Sequence, residues 1–225
     1  MLLWATLLTE ERKGDRSMGK KCISVFFLAV LAGLAISIGG CIFLVTENKI
    51  LGALFFTVGL YIIVLNGLFL YTGKIGYLAT VEDKIGYIPV LLFTWLGNLA
   101  GTWLGAMGMQ CSKLSFLSEV AAQVSAAKLE QSVISALILA IFCGVLMFVA
   151  VDGFKETKNP LILFLCVSVF ILCGFEHCIA NMFYFSMGHA WSGKAFGYIL
   201  LMTLGNSIGG MLIPQVKRMT DKYVA

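Results

Sequence analysis

Charged side chains are scarce in this chain, and their scarcity excludes more than any motif does. Asp, Glu, Lys and Arg make up 12% of the 225 residues, against about 25% in an ordinary soluble domain. With 60% hydrophobic residues and a mean hydropathy of +0.94, no water-soluble core accounts for the chain. Only two histidines occur, His177 and His189, in or beside one apolar run. That is poor geometry for two axial haem ligands on facing helices. A haem-binding anchor subunit of a redox complex is therefore the lesser reading from a different functional class, and a Soret band would reveal it. None of the seven cysteines forms a CxxC pair, so neither a zinc site nor a disulfide framework is expected. No basic stripe with interleaved aromatics exists, which excludes a nucleic-acid partner. The paired Asn-Pro-Ala tripeptides of water and glycerol channels are missing too. With no domain outside the apolar runs to hold a catalytic constellation, the chain is not expected to be an enzyme.

What the sequence does have is long gaps between charges. Cys22–Thr46, Ile50–Gly73, Ile85–Ser112, Gln131–Val151 and Ala195–Val216 contain no Asp, Glu, Lys or Arg, and Asn159–Gly193 contains one, Glu176. A helix needs about 20 apolar residues to cross the hydrocarbon core. Six gaps predict six crossings of the lipid bilayer, called spans 1 to 6. The runs are long and do not alternate, so an all-α protein is expected rather than a barrel.

Lysine and arginine set the orientation. Arg12, Lys13, Arg16, Lys20, Lys21, Lys84, Lys155, Lys158, Lys217, Arg218 and Lys222 fall on one side, and Lys49, Lys113, Lys128 and Lys194 on the other. Both termini are thus expected to be cytoplasmic. The division is an arm over residues 1–21, one transmembrane domain over 22–216 with repeat halves of about 22–109 and 131–216, and a tail over 217–225. In the arm, Trp4, Leu7 and Leu8 followed by charges suit a short interfacial helix, or else Met18 is the natural start. No cleavable signal peptide is read there.

The two halves echo each other. Leu96-Gly97-Asn98-Leu99-Ala100-Gly101 in span 3 and Leu204-Gly205-Asn206-Ser207-Ile208-Gly209 in span 6 share the pattern L-G-N-x-x-G, 108 positions apart. Gly33 in span 1 and Gly144 in span 4 lie 111 apart. Three spans per half is an odd number, so the halves are expected to be inverted, with the pathway near the midplane and built from discontinuous helices. Spans 2 and 5 are where the breaks should fall. Span 2 carries Leu70-Tyr71-Thr72-Gly73-Lys74, and span 5 carries Glu176, His177 and Asn181 among glycine and alanine. Polar groups at that depth are costly and are retained facing protein or a wet path. Helix breaks expose backbone N–H groups whose partial positive charge favours an anion. The glycines of spans 3 and 6 read mainly as close-packing positions. Asn98 and Asn206 read equally as helix cross-links or as solute contacts.

On these residues the chain resembles the formate/nitrite transporter family, from Ala32 to about Gly210. The stretch Ala32-Gly33 to Gly40, the string Leu70-Tyr71-Thr72-Gly73, the motif G-F-E-H-x-x-A-N-M from Gly174 to Met182, and Thr203-Leu204-Gly205-Asn206-Ser207-Ile208-Gly209-Gly210 carry the likeness. The resemblance implies an aquaporin-like pore in each protomer of a homopentamer in a prokaryotic plasma membrane. It implies passage of formate, nitrite or hydrosulfide, and no cofactor or metal. It implies that His177 is the central pore histidine, with Glu176 beside it and Thr72 opposite. It further implies that Leu60, Leu70 and Tyr71 form the cytoplasmic constriction, that Phe56 and Phe170 form the external one, and that Lys128 stands in the external vestibule. Two departures lean towards hydrosulfide: Gly144, where formate-type members have a pore-facing Asn, and the Thr72-Gly73-Lys74 combination. An alternating-access transporter of the same anions is the nearer rival reading, since inverted repeats serve both.

Overall fold

The computed structural model describes residues 18–224; the interfacial helix expected around Trp4–Leu8 lies outside them. The described chain is all-helical. It runs as α1 (Met18–Val45), α2 (Lys49–Leu65), α3 (Tyr71–Lys74), a 3-10 turn (Ile75–Ala79), α4 (Lys84–Gln110), α5 (Leu117–Glu130), α6 (Val133–Thr157), α7 (Leu161–Leu172), α8 (Cys178–Met187) and α9 (Gly193–Val224). Four of these, α1, α4, α6 and α9, are long and apolar enough to cross a membrane. They leave large apolar side chains such as Phe27, Ile85, Ile134 and Leu204 on the surface, which a protein in water would hide. The two remaining apolar runs are the divided ones, α2–α3 and α7–α8.

The divisions have the same local cause. Gly67 and Gly174 adopt φ of 64° and 68°, a left-handed conformation that glycine enters without a Cβ penalty. The following amide closes the helix behind it: Leu68 N–H donates to Ile63 O and Phe175 N–H to Phe170 O, both at 2.9 Å. This is the wide-turn closure that ends helices at a glycine. The chain then runs extended through Leu70 (φ −103°, ψ 127°) and His177 (φ −97°, ψ 111°) before it turns helical again.

Each break is clamped by one asparagine. Asn98 on α4 accepts from Tyr71 N–H at 2.8 Å and donates to Phe69 O at 2.8 Å and Ala29 O at 2.9 Å. Asn206 on α9 accepts from Cys178 N–H at 2.9 Å and donates to Glu176 O at 2.8 Å and Ala140 O at 2.8 Å. Both amide protons are spent, so these side chains cross-link the fold and offer no donor to a solute.

Close helix approach supports the clamps. α1 packs on α4 and α6 on α9. A Cβ added at Gly101 would strike the Val30 carbonyl, and one at Gly209 the Ile141 carbonyl. Gly73 faces Val151 of α6.

Two further stretches are helical. The loop between spans 3 and 4 contains α5, because Ala-rich sequence favours helix and Leu117, Ala121 and Ser125 at one-turn spacing bury against the protein. The expected tail from residue 217 continues α9, and Arg218 Nη1 donates to Ala79 O at 2.8 Å.

Candidate functional site

His177 sits at the second break because it caps α8. Its Nδ1 accepts from Ala180 N–H at 3.0 Å. A ring nitrogen that accepts carries no proton, so the proton of the neutral ring is on Nε2. Nε2 lies 2.8 Å from Thr72 Oγ1 and therefore donates to it. The two breaks are joined by this bond, with Thr72 left holding its own hydroxyl proton to offer elsewhere. His177 and Thr72 are buried, at 2% and 1% exposure.

Above the imidazole lies Phe170, stacked on it with centroids 5.6 Å apart and planes at 22°. Phe56 meets Phe170 edge to face at 5.9 Å. Leu60 and Leu70 are fully buried as well. The Tyr71 hydroxyl meets Ser207 Oγ on α9 at 2.9 Å.

Glu176 points to the other side of the break, into a polar cluster. Its Oε2 accepts from Lys128 Nζ at 2.7 Å and from Asn181 Nδ2 at 2.6 Å, and its Oε1 accepts from Gln131 Nε2 at 2.7 Å. The carboxylate is 3% exposed and Lys128 17%. A cavity of about 350 Å³ opens over this cluster and reaches down past Phe43, Phe170 and His177. Lys128 lines this cavity with its charge held by Glu176.

Gln131 escaped the sequence reading. It joins α5 to α6, holds Glu176, donates to Lys128 O at 3.1 Å and receives the Tyr198 hydroxyl on its carbonyl at 2.6 Å. Its position just before the N-cap Ser132 was the available signal, yet nothing local names a partner 45 residues away.

Two expectations meet a correction in this geometry. Gly144 does not face the path: a Cβ there would collide with the backbone of Asn206, so the missing side chain makes room for α9. Lys74 is 8% exposed, with Nζ 4.3 Å from the Phe69 ring centroid. Three amides at the second break are already taken: those of Cys178, Ala180 and Asn181 go to Asn206, the His177 ring and His177 O.

Gly144→Asn is accordingly expected to give little folded protein, because any side chain must displace α9. The yield of monodisperse protein checks this. A well-folded variant with raised formate uptake would return residue 144 to the pore wall.

Comparison with known proteins agrees with this architecture. A family profile described as Formate/nitrite transporter matches residues 5–219. The Formate channel FocA of Escherichia coli (strain K12) is 28% identical over 254 aligned positions, covering 90% of this chain and 88% of that protein. The Nitrite transporter NirC of Salmonella typhimurium is 30% identical over 176, covering 70% of this chain and 65% of that one. Among solved structures, a pentameric formate channel with formate bound superposes with a TM-score of 0.78 at 24% identity, covering 90% of this chain and 98% of that one. An FNT family ion channel superposes with a TM-score of 0.73 at 21% identity, covering 89% of each. With its matched length running through both breaks, both asparagine clamps and the His177–Thr72 bond, this chain belongs to the formate/nitrite transporter family.

Proposed function

We propose that the chain crosses the membrane six times as two inverted three-helix halves, with both termini cytoplasmic. It forms one pore in each protomer of a homopentamer and passes a small monovalent anion as its neutral acid. The bond between His177 Nε2 and Thr72 Oγ1 carries this reading, because it joins the two helix breaks at the depth where a charge costs most. The matching asparagine clamps support the repeat, and the similar pentameric formate channel supports the assembly.

The steps follow from the groups present. An anion enters the cavity beside Lys128, whose pairing with Glu176 leaves a local field rather than a free charge. As its water is stripped, the anion takes a proton from the entering solvent and gives it back to water on the far side, because a dry surrounding disfavours the charged form. The neutral acid then passes Phe56 and Phe170. In the chamber, Thr72 donates its hydroxyl proton to the solute while His177, neutral and capped, holds the threonine in place. Protonating the imidazole would turn Nδ1 from acceptor to donor against the Ala180 N–H, and so would break the cap. Leu60, Leu70 and the Tyr71 ring close the cytoplasmic side. Thr72-Gly73-Lys74 favours hydrosulfide among the family's substrates; Gly144, being a packing residue, carries no weight in that choice.

Uptake of hydrosulfide, formate, nitrite and chloride into proteoliposomes tests the reading. Weak-acid flux is expected to fall as pH rises, following the neutral fraction, and chloride to lag far behind; chloride passing as fast as formate would refute it. His177→Asn is expected to lower flux while its pH dependence still follows the neutral fraction. If the variant's pH dependence disappears, His177 is a proton carrier instead.

A further inference from the structure

One face of the second break continues outward as a stripe. His177, Ala180, Asn181 and Tyr184, spaced at about one helical turn, all line the cavity above Phe170. Helix α5 packs on α8 and brings Lys128 to the same cavity. Conduction as proposed uses Lys128, His177 and Thr72 and gives Tyr184 no part.

Tyr184 is 5% exposed, with its ring against Phe43 at 6.4 Å and Phe183 at 5.7 Å. A buried tyrosine hydroxyl usually finds a partner. Those of Tyr71, Tyr77, Tyr87 and Tyr198 each meet a protein atom. Among the described residues, the Tyr184 hydroxyl meets none. Nor is its oxygen sealed in, because the sealed hydroxyls without a partner are those of Thr57 and Ser168. It opens on the cavity that its ring lines.

Its level follows from its neighbours. Side chains on a helix lean back over the preceding turn, so Tyr184 leans from the outer end of α8 towards Ala180 and His177. Its partner Phe43 lies one turn along α1 from Gly39, whose absent Cβ faces Phe56. The hydroxyl therefore stands one turn outside the Phe56–Phe170 pair. The cavity there is rich in donors. Lys128 commits one N–H to Glu176 and keeps two, while both Glu176 oxygens already accept hydrogen bonds.

We propose that the Tyr184 hydroxyl donates a hydrogen bond to the permeating anion, replacing a water that the anion sheds before the two phenylalanine rings. Tyr184 is then a specificity-determining residue that favours oxygen acceptors, since sulfur accepts hydrogen bonds weakly. This inference rests on the conduction proposed above.

The test is Tyr184→Phe in proteoliposomes, which removes one oxygen and keeps the ring. Uptake of formate, nitrite and hydrosulfide is measured at low solute concentration, beside the melting temperature of the assembled protein. Losing one hydrogen bond on the path is expected to slow formate and nitrite by about three- to tenfold and hydrosulfide by less. The melting temperature is expected to stay level or rise, because the hydroxyl leaves no protein group behind. Unchanged or faster formate uptake overturns the proposal. So does hydrosulfide slowed as much as formate, which would mean an altered passage rather than a lost donor. A lower melting temperature or failed assembly overturns it too, since the hydroxyl would then be structural. A wild-type protein that passes no weak acid refutes the conduction reading instead, so the two failures are distinguishable.

Discussion

Asn206→Leu is expected to remove most of the folded protein, not to alter its selectivity. Side-chain hydrogen bonds between membrane helices average only about 0.6 kcal/mol, and by that measure the substitution would be mild. The relevant quantity here is different. Asn206 serves Cys178 N–H and Glu176 O, groups at a helix break with no helical partner. Ala140 O lies inside α6 and has its own helix bond to fall back on. Two stranded backbone groups at about 1–3 kcal/mol each make a loss of about 4 kcal/mol, before the larger leucine is fitted. Size-exclusion yield and melting temperature in detergent are the readouts, and Asn98→Leu should behave alike. A well-assembled Asn206→Leu protein with altered flux would mean that the amide faces the solute.

Lys128→Met is the second large effect. Breaking a buried ion pair by removing one partner costs about 3–5 kcal/mol, because an uncompensated charge stays behind. Two features reduce the figure: Lys128 is 17% exposed, and Glu176 keeps its bonds from Gln131 and Asn181. A loss of about 2–3 kcal/mol is expected on that basis. The double variant Lys128→Met/Glu176→Gln should recover much of it, since a neutral amide then replaces the stranded carboxylate. If Lys128→Met melts like the wild type, water reaches Glu176 freely and the cluster is part of the solvent-filled mouth.

What could be read from the sequence depended on how local each signal is. Charge-free runs and mid-run glycines are local, and they located the long helices and the two divided runs, although Leu70–Lys74 and Phe175–Asn181 begin four and two residues after the breaks at 66–70 and 173–177 do. The L-G-N-x-x-G repeat found Asn98 and Asn206 but could not choose between cross-link and solute contact, because that depends on which backbone groups lie across the helix gap. Gly144 shows the limit most clearly. Substitution patterns suggested a pore-facing position, whereas its missing Cβ lies against Asn206. Gln131 was invisible for a related reason: a partner far along the chain leaves no mark in the neighbouring letters.

The asparagine clamps also bear on how the protein is made. Ala29, Phe69, Tyr71 and Asn98 all leave the ribosome before residue 110 does, so the first break can be tied off while the second half is still being translated. The second clamp, from Ala140 to Asn206, is equally self-sufficient. The His177–Thr72 bond alone among these needs both halves docked. A chain truncated after α4 should therefore insert and hold its own break, yet have nothing at its centre for a solute to meet.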